Sequence, residues 1–296
     1  MTENIEKQRL DQLLGETKTV KRHHNLRRLL LEAVLVLAAL AFLYPIILIF
    51  YNSFKTYAQI MTNVVTLPKD FVFQNYIKAW DLMQYPKVFI NTLVVTIGGV
   101  LGVVFFGSMA AYKLSRTCTR YSWFFLALCI APMMIPFQTI MIPMMQVANN
   151  LHLTNRLSGL TVMYWGLGTP FVIFLYHGFV KTIPKEMDEC ASIDGCSSFR
   201  TFFNIIFPQL KSITVTIIVL NVMWIWNDFL LPLLMVNSSQ NTKTLQLAAY
   251  TFFGQYISEW HYALAGLVMS VTPSILFFLF MQKHIVKGVT AGAVKG

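Results

Sequence analysis

Ile183-Pro184-Lys185-Glu186-Met187-Asp188-Glu189-Cys190-Ala191-Ser192-Ile193-Asp194-Gly195-Cys196-Ser197-Ser198-Phe199-Arg200-Thr201-Phe202-Phe203-Asn204-Ile205-Ile206-Phe207-Pro208-Gln209 is the long polar segment between apolar spans on which the reading of this chain turns. Thr182 suits an N-cap and Pro184 a first helical turn, while Glu186, Asp188 and Glu189 place negative charge at the positive end of the helix dipole. Asp194-Gly195 ends that helix, because glycine tolerates a left-handed turn. Ser197 or Ser198 can cap a second helix, whose Phe199, Phe202, Phe203 and Ile206 recur at helical spacing until Pro208 interrupts it. The product is a helix–elbow–helix with one apolar face.

Around this segment the composition is that of a membrane protein: of 296 residues, 56% are hydrophobic and 12% charged. The net charge of +10 does not point to nucleic acid, since the basic residues flank apolar runs instead of forming one patch, as suits anionic headgroups. Cys118, Cys129, Cys190 and Cys196 form no C-x-x-C pair and have no histidine at metal-ligand spacing, so they read as reduced thiols and no metal site is expected.

Six apolar runs predict six membrane spans, Leu29–Tyr51, Val88–Tyr112, Trp123–Met145, Leu160–Val180, Ile213–Val236 and Tyr262–Met281. Residues 1–28 read as a basic cytoplasmic tail, and the first span as a retained anchor in which Glu32 can reach Arg28. Residues 52–87 read as an extracellular loop, 88–281 as the membrane core containing 183–209, and 282–296 as a short, basic, flexible cytoplasmic tail. Gly98 and Gly102 make a G-x-x-x-G spacing suited to close helix packing. Pro132, Pro136 and Pro143 in the third span free backbone carbonyls, tolerable at membrane depth against protein or a water-lined cavity, so a kinked, pathway-lining helix is expected there. With the N-terminus inside, this topology leaves Lys55, Lys69, Lys78, Lys87, Arg156 and Lys243 outside and the remainder of the 23 Lys and Arg inside, the bias the positive-inside rule asks for. Both termini and the 183–209 segment are then cytoplasmic.

Glu189-Cys190-Ala191, three residues, Gly195, nine residues, Ile205, one residue and Phe207-Pro208 resembles the EAA loop of the membrane subunits of ABC importers, with Cys190 and Phe207 standing where Ala and Leu are usual. Leu67 to Tyr76, Met134 to Pro143, Trp226-Asn227-Asp228-Phe229 and the C-terminal tail are similar to the corresponding stretches of maltose-type carbohydrate permeases. The resemblance implies an all-α membrane protein with the ABC importer permease fold. It further implies a homologous second permease subunit, an ABC ATPase dimer at the cytoplasmic face and an extracellular sugar-binding protein as partners in the cell membrane. Glu189, Ala191, Asp194, Gly195 and Pro208 would couple to the ATPase, with Met187, Ala191 and Ile193 offering apolar contact.

No G-x-x-x-x-G-K-[ST] occurs, so if ATP drives transport a separate chain binds it and this one needs no cofactor. There is likewise no H-E-x-x-H and no G-x-S-x-G, which argues against an enzyme. Asn221, Trp224 and Asp228 share a helical face that offers an amide, an aromatic plate and a carboxylate, suited to a sugar. The same residues suit interhelical hydrogen bonding. Asn227 and Gln138 complete the candidate pathway, Asn91 is a weaker lining candidate, and His177 reads as structural. Two rival readings stand beside sugar import: the same fold moving another solute, and an ion-coupled carrier, for which Asp228 is the one acid well inside a span.

Overall fold

The structure, a computed structural model, describes residues 28–253 and 259–293, with side chains to residue 283. The expected N-terminal tail up to residue 27 lies outside the described residues. The chain divides into two compact units, Met1–Phe71 and Val72–Gly296.

In the first unit, α1 (Arg28–Asn52) is apolar on every side, and its side chains are exposed, Phe42 by 82% and Leu35 by 67%. A helix with no polar stripe matches lipid, not water. Arg28 reaches Glu32 at 2.9 Å, as the spacing predicts, in a pair too exposed to add much stability. The chain then turns into α2 (Tyr57–Thr62), which begins in a capping box between Thr56 and Gln59. Three side chains tie the following loop back to the end of α1. The Tyr51 hydroxyl, the Asn52 amide and the buried Lys55 ammonium all donate to the Val64 carbonyl, at 3.1, 2.8 and 3.4 Å. Burial holds the Lys55 pKa below the ordinary lysine value.

The second unit begins with α3 (Gln74–Met83), so the stretch 52–87 is partly helical and not a simple loop. Gln84, in the left-handed region, turns the chain into α4 (Tyr85–Arg116), which starts before the expected Val88. α4 runs against α7 (Leu157–Val180) at a distance set by glycine: a Cβ on Gly102 would sit 1.9 Å from Trp165 Nε1, and that nitrogen donates to the Gly98 carbonyl at 2.8 Å. Helix packing is therefore the use of the G-x-x-x-G spacing.

The expected third span is not one kinked helix. α5 (Arg120–Ile130) passes through a 3-10 turn at Ala131–Met134 and, after a bend of 107°, becomes α6 (Phe137–Asn150). Pro132 enters the tight turn, and Pro136, with ψ 135°, stands as the N-cap of α6, where a missing N–H costs nothing. Pro143 stays inside α6.

After α7 the chain forms α8 (Glu186–Ile193), α9 (Ser198–Thr201), a π-helical turn at Phe202–Ile206 and α10 (Phe207–Gln209). It then bends by 80° into α11 (Lys211–Asn227). The expected fifth span is also broken: α11 ends at Asn227, Asp228 is extended, and α12 (Leu230–Val236) follows. α13 (Leu245–Tyr250) and α14 (Trp260–Ala293) complete the unit, and α14 stays helical through 282–293, where a flexible tail was expected. Trp226 Nε1 donates to the Ser270 carbonyl at 3.2 Å and fixes α11 on α14.

Arg28–Asn52, Tyr85–Arg116, Leu157–Val180 and Trp260–Lys283 are each long and apolar enough to cross a membrane, and the two bent pairs bring the number of candidate spans to 6. Among the described residues no strand forms.

Candidate functional site

Two places carry the candidate residues. The first is the elbow. α8 ends in a Schellman motif, with Cys196 N donating to the Ala191 carbonyl at 2.9 Å and Gly195 N to the Ser192 carbonyl at 3.1 Å. Gly195 has φ +76° and open space around it, so its backbone conformation and not its volume calls for glycine. Ser197 caps α9 by accepting from Arg200 N. Pro208 is absorbed by the π turn, in which Phe207 N reaches the Phe202 carbonyl one residue further back than in an α-helix. Thr182 is not the N-cap of α8. Lys185 occupies that position, Pro184 stands outside the first turn, and the Thr182 hydroxyl donates back to the Phe179 carbonyl at 2.8 Å.

The candidate coupling residues fall on opposite faces of α8. Ala191 is 2% exposed, and Met187 packs against the core cluster that contains Tyr176 and Phe202, so neither is offered outward as expected. Ile193 is 86% exposed, and Glu189, Cys190 and Asp194 are exposed with it. Phe199, at 61%, extends this apolar surface onto α9.

A latch that sequence reasoning missed fixes the inner face. Asp188 accepts from the Tyr112 hydroxyl and pairs with Arg116 Nη2 at 2.8 Å, and Arg116 Nη1 donates to the Ile183 carbonyl at 3.1 Å. Both charged side chains are largely withdrawn from water, which keeps the pair from being screened away. One guanidinium thus joins the end of α4, the turn after α7 and the first turn of α8. The available signal was an acid beyond those needed for the helix dipole, facing a basic residue at the end of a span.

The second place is a cavity of about 420 Å³ at the two helix breaks, lined by Pro132, Gln138, Gly166, Pro170, Trp224 and Asp228 among others. A smaller hollow of about 240 Å³ shares Leu167 and Trp224 with it and reaches Asn221. Asn221 and Asp228 thus line two neighbouring hollows that share Leu167 and Trp224, and Gln138 joins the larger one from α6. Asp228 is not in mid-helix. It caps the break, with Oδ2 accepting from the Tyr164 hydroxyl at 2.8 Å and Oδ1 from Leu230 N at 3.1 Å. Tyr164 also meets the Trp224 ring edge to face at 5.5 Å. Asn221 donates to the Ile217 carbonyl at 2.8 Å, which leaves its amide oxygen beside Gly168.

Asn227 lines neither space: its amide nitrogen donates to the Met223 carbonyl and its oxygen accepts from Ser274. Asn91 holds the Asn241 and Lys243 carbonyls, both at 2.9 Å, and is structural. His177 lies away from the cavity. No group of His, Cys, Asp and Glu suited to a metal occurs among the described residues. Helix breaks, an aromatic plate and short polar side chains around one space can accept a neutral polar solute by hydrogen bonding and stacking.

Membrane-length apolar helices beside interrupted ones that border a cavity describe a multi-pass membrane protein. The chain belongs to the family described as "Binding-protein-dependent transport system inner membrane component", whose pattern residues 103–291 match. It is 39% identical over 274 residues to the "Probable starch degradation products transport system permease protein AmyC" of Thermoanaerobacterium thermosulfurigenes, covering 93% of this chain and 99% of that one. It is 34% identical to the "Melibiose/raffinose/stachyose import permease protein MelC" of Bacillus subtilis (93% and 99% covered) and 34% identical to the "Multiple sugar-binding transport system permease protein MsmG" of Streptococcus mutans (88% and 95%). Its fold is that of a chain in the "Crystal structure of a bacterial ABC transporter involved in the import of the acidic polysaccharide alginate", with a TM-score of 0.74 at 24% identity over 86% of this chain and 95% of that one.

Proposed function

We propose that this chain forms half of the translocation pathway of an ATP-driven importer for a sugar or oligosaccharide. In this reading a homologous second permease supplies the other half, and a separate ATPase dimer binds ATP and docks on α8. A sugar-binding protein delivers solute from outside, and both termini face the cytoplasm. The observation that carries it is the two-faced α8: its inner face is bonded to α4 through Asp188 and Arg116, while Glu189, Ile193 and Phe199 stand exposed. A helix held in this way transmits a push as a rigid body. Trp224, Asp228, Asn221 and Gln138 on the walls of the two neighbouring hollows supply the polar and aromatic contacts a sugar needs. The names of the relatives, which concern starch degradation products, multiple sugars and melibiose, raffinose and stachyose, favour a carbohydrate over another solute.

The test is uptake of labelled oligosaccharides by cells with and without the gene, before and after ATP depletion with the proton gradient maintained. Uptake that needs the gene and stops with ATP supports the proposal. Gene-dependent uptake that follows the proton gradient without ATP contradicts it.

A further inference from the structure

We propose, on the sugar-importer reading, that Gly166 of α7 sets the largest solute the cavity admits and keeps it open to an oligosaccharide instead of a single sugar ring. Four glycines stand in α7, and a Cβ added to each would meet different surroundings. On Gly159 it would lie 1.8 Å from the Leu153 carbonyl oxygen, so the entry into α7 requires glycine there. On Gly168 it would lie 2.9 Å from Val103 and 3.2 Å from the Trp224 ring, so that glycine seats the aromatic plate. On Gly166 it would meet nothing within 4 Å, although the residue borders the cavity. Gly178 is equally open but does not border the cavity.

Packing therefore does not account for glycine at 166. Glycine inside a helix costs about 0.5–1 kcal/mol relative to alanine, and alanine would fit here without a clash. What a side chain would take at this position is cavity space. Pro170, one turn further along α7, borders the same cavity, so this face of the helix is the one turned towards it. The cavity, at about 420 Å³, has the size of a small-molecule site, and Gln138, Trp224 and Asp228 offer the polar and aromatic contacts. Gly166 adds clearance beside them. A pathway that opens to one side at a time must close around the whole solute, so lost volume falls first on the longest one. A glycine one turn before a proline can also serve a bend, but a bend would act on every solute alike.

Initial uptake by intact cells, where every partner is present, tests this with a mixture of short and long oligosaccharides of glucose, galactose and arabinose together with the single sugars. The solutes taken up are identified by mass spectrometry. Partners are the same in every strain, so a changed ratio of long to short solute belongs to this chain. The ratio should fall about threefold in Gly166→Ala and about tenfold in Gly166→Leu. Neither variant should lose thermal stability in detergent, because the added atoms enter open space. Gly178→Leu, in equally open surroundings on the same helix, should leave the ratio unchanged. An unchanged ratio in Gly166→Leu would overturn the proposal, as would equal loss of short and long solutes, while ATP-dependent uptake by the unaltered chain keeps the importer reading standing. Uptake by the unaltered chain confined to single sugars would equally overturn it. If the unaltered chain takes up no sugar at the expense of ATP, the importer reading fails and this role of Gly166 fails with it.

Discussion

The continuous α4–α7 pair and the interrupted segments α5–α6 and α11–α12 show opposite solutions to the same apolar composition. The first two helices are continuous, and α4 presents small residues that let Trp165 lie against its backbone. The broken pairs turn at Pro132, Pro136 and Asp228, and the cavity lies where they turn. α4 satisfies its backbone groups internally, and α7, unbroken although it carries Pro170 and lends Gly166 and Pro170 to the cavity wall, completes a frame with it. Breaks interrupt the backbone ladder and set Gln138 and Asp228 on the cavity wall. The latch from Arg116 to Asp188 then fastens the exposed α8 to the frame and not to the broken pairs.

The contrast breaks most visibly at the frame. Gly102→Leu places a side chain where a Cβ alone would meet Trp165 at 1.9 Å, and it should cost about 3 kcal/mol or more, seen as poor yield and early thermal unfolding in detergent. Arg116→Ala comes next. It leaves Asp188 withdrawn from water without its cation and should cost about 2 kcal/mol, below the range for a fully buried pair because some water reaches it. Its more telling effect should be ATP hydrolysis that no longer depends on solute, measured in reconstituted vesicles. Gly195→Ala must hold φ +76° with a side chain, a strain of about 1 kcal/mol, and should lower coupling without changing solute affinity.

The smallest expected effect sharpens the comparison best. Gln138→Ala removes a hydrogen-bonding group from the cavity and should raise the KM for uptake about fivefold, the equivalent of one neutral hydrogen bond. Asn227→Ala, next to Asp228 in sequence but bonded to Ser274 on α14, should leave KM unchanged and lower only the unfolding temperature.

The elbow was the most legible part of the chain because its signals are local: the Gly195 turn, the Ser197 cap and the spacing of the buried Phe202 and Ile206 act within a few residues, although Phe199, expected on the same face, stands exposed. Thr182 misled because a hydroxyl near a helix end can serve the preceding helix as readily as the following one. The sequence also announced disruption of the third span, since prolines remove backbone donors, but not a 107° reversal, which depends on what packs against the freed carbonyls. Asp228 looked like an acid in mid-helix because nothing local marks a break between Asn227 and Leu230. Its partners are a tyrosine on another helix and a backbone amide that is free only because the helix ends there. The resemblance implied apolar contact from Met187 and Ala191 without saying which face of α8 they occupy, and only the fold shows that they lie on the covered one.

In the proposed importer the outer face of α8 belongs to a partner and its inner face to this chain. Ile193, 86% exposed and away from the latch, is the residue on which to test it. The measurement is quantitative mass spectrometry of the proteins retained by the tagged chain from native membranes in mild detergent, comparing the unaltered chain with Ile193→Asp at matched thermal stability. A P-loop ATPase and a second permease should accompany the unaltered chain, and Ile193→Asp should lose the ATPase while keeping the permease. Retention of the ATPase at the same ratio by Ile193→Asp would contradict it.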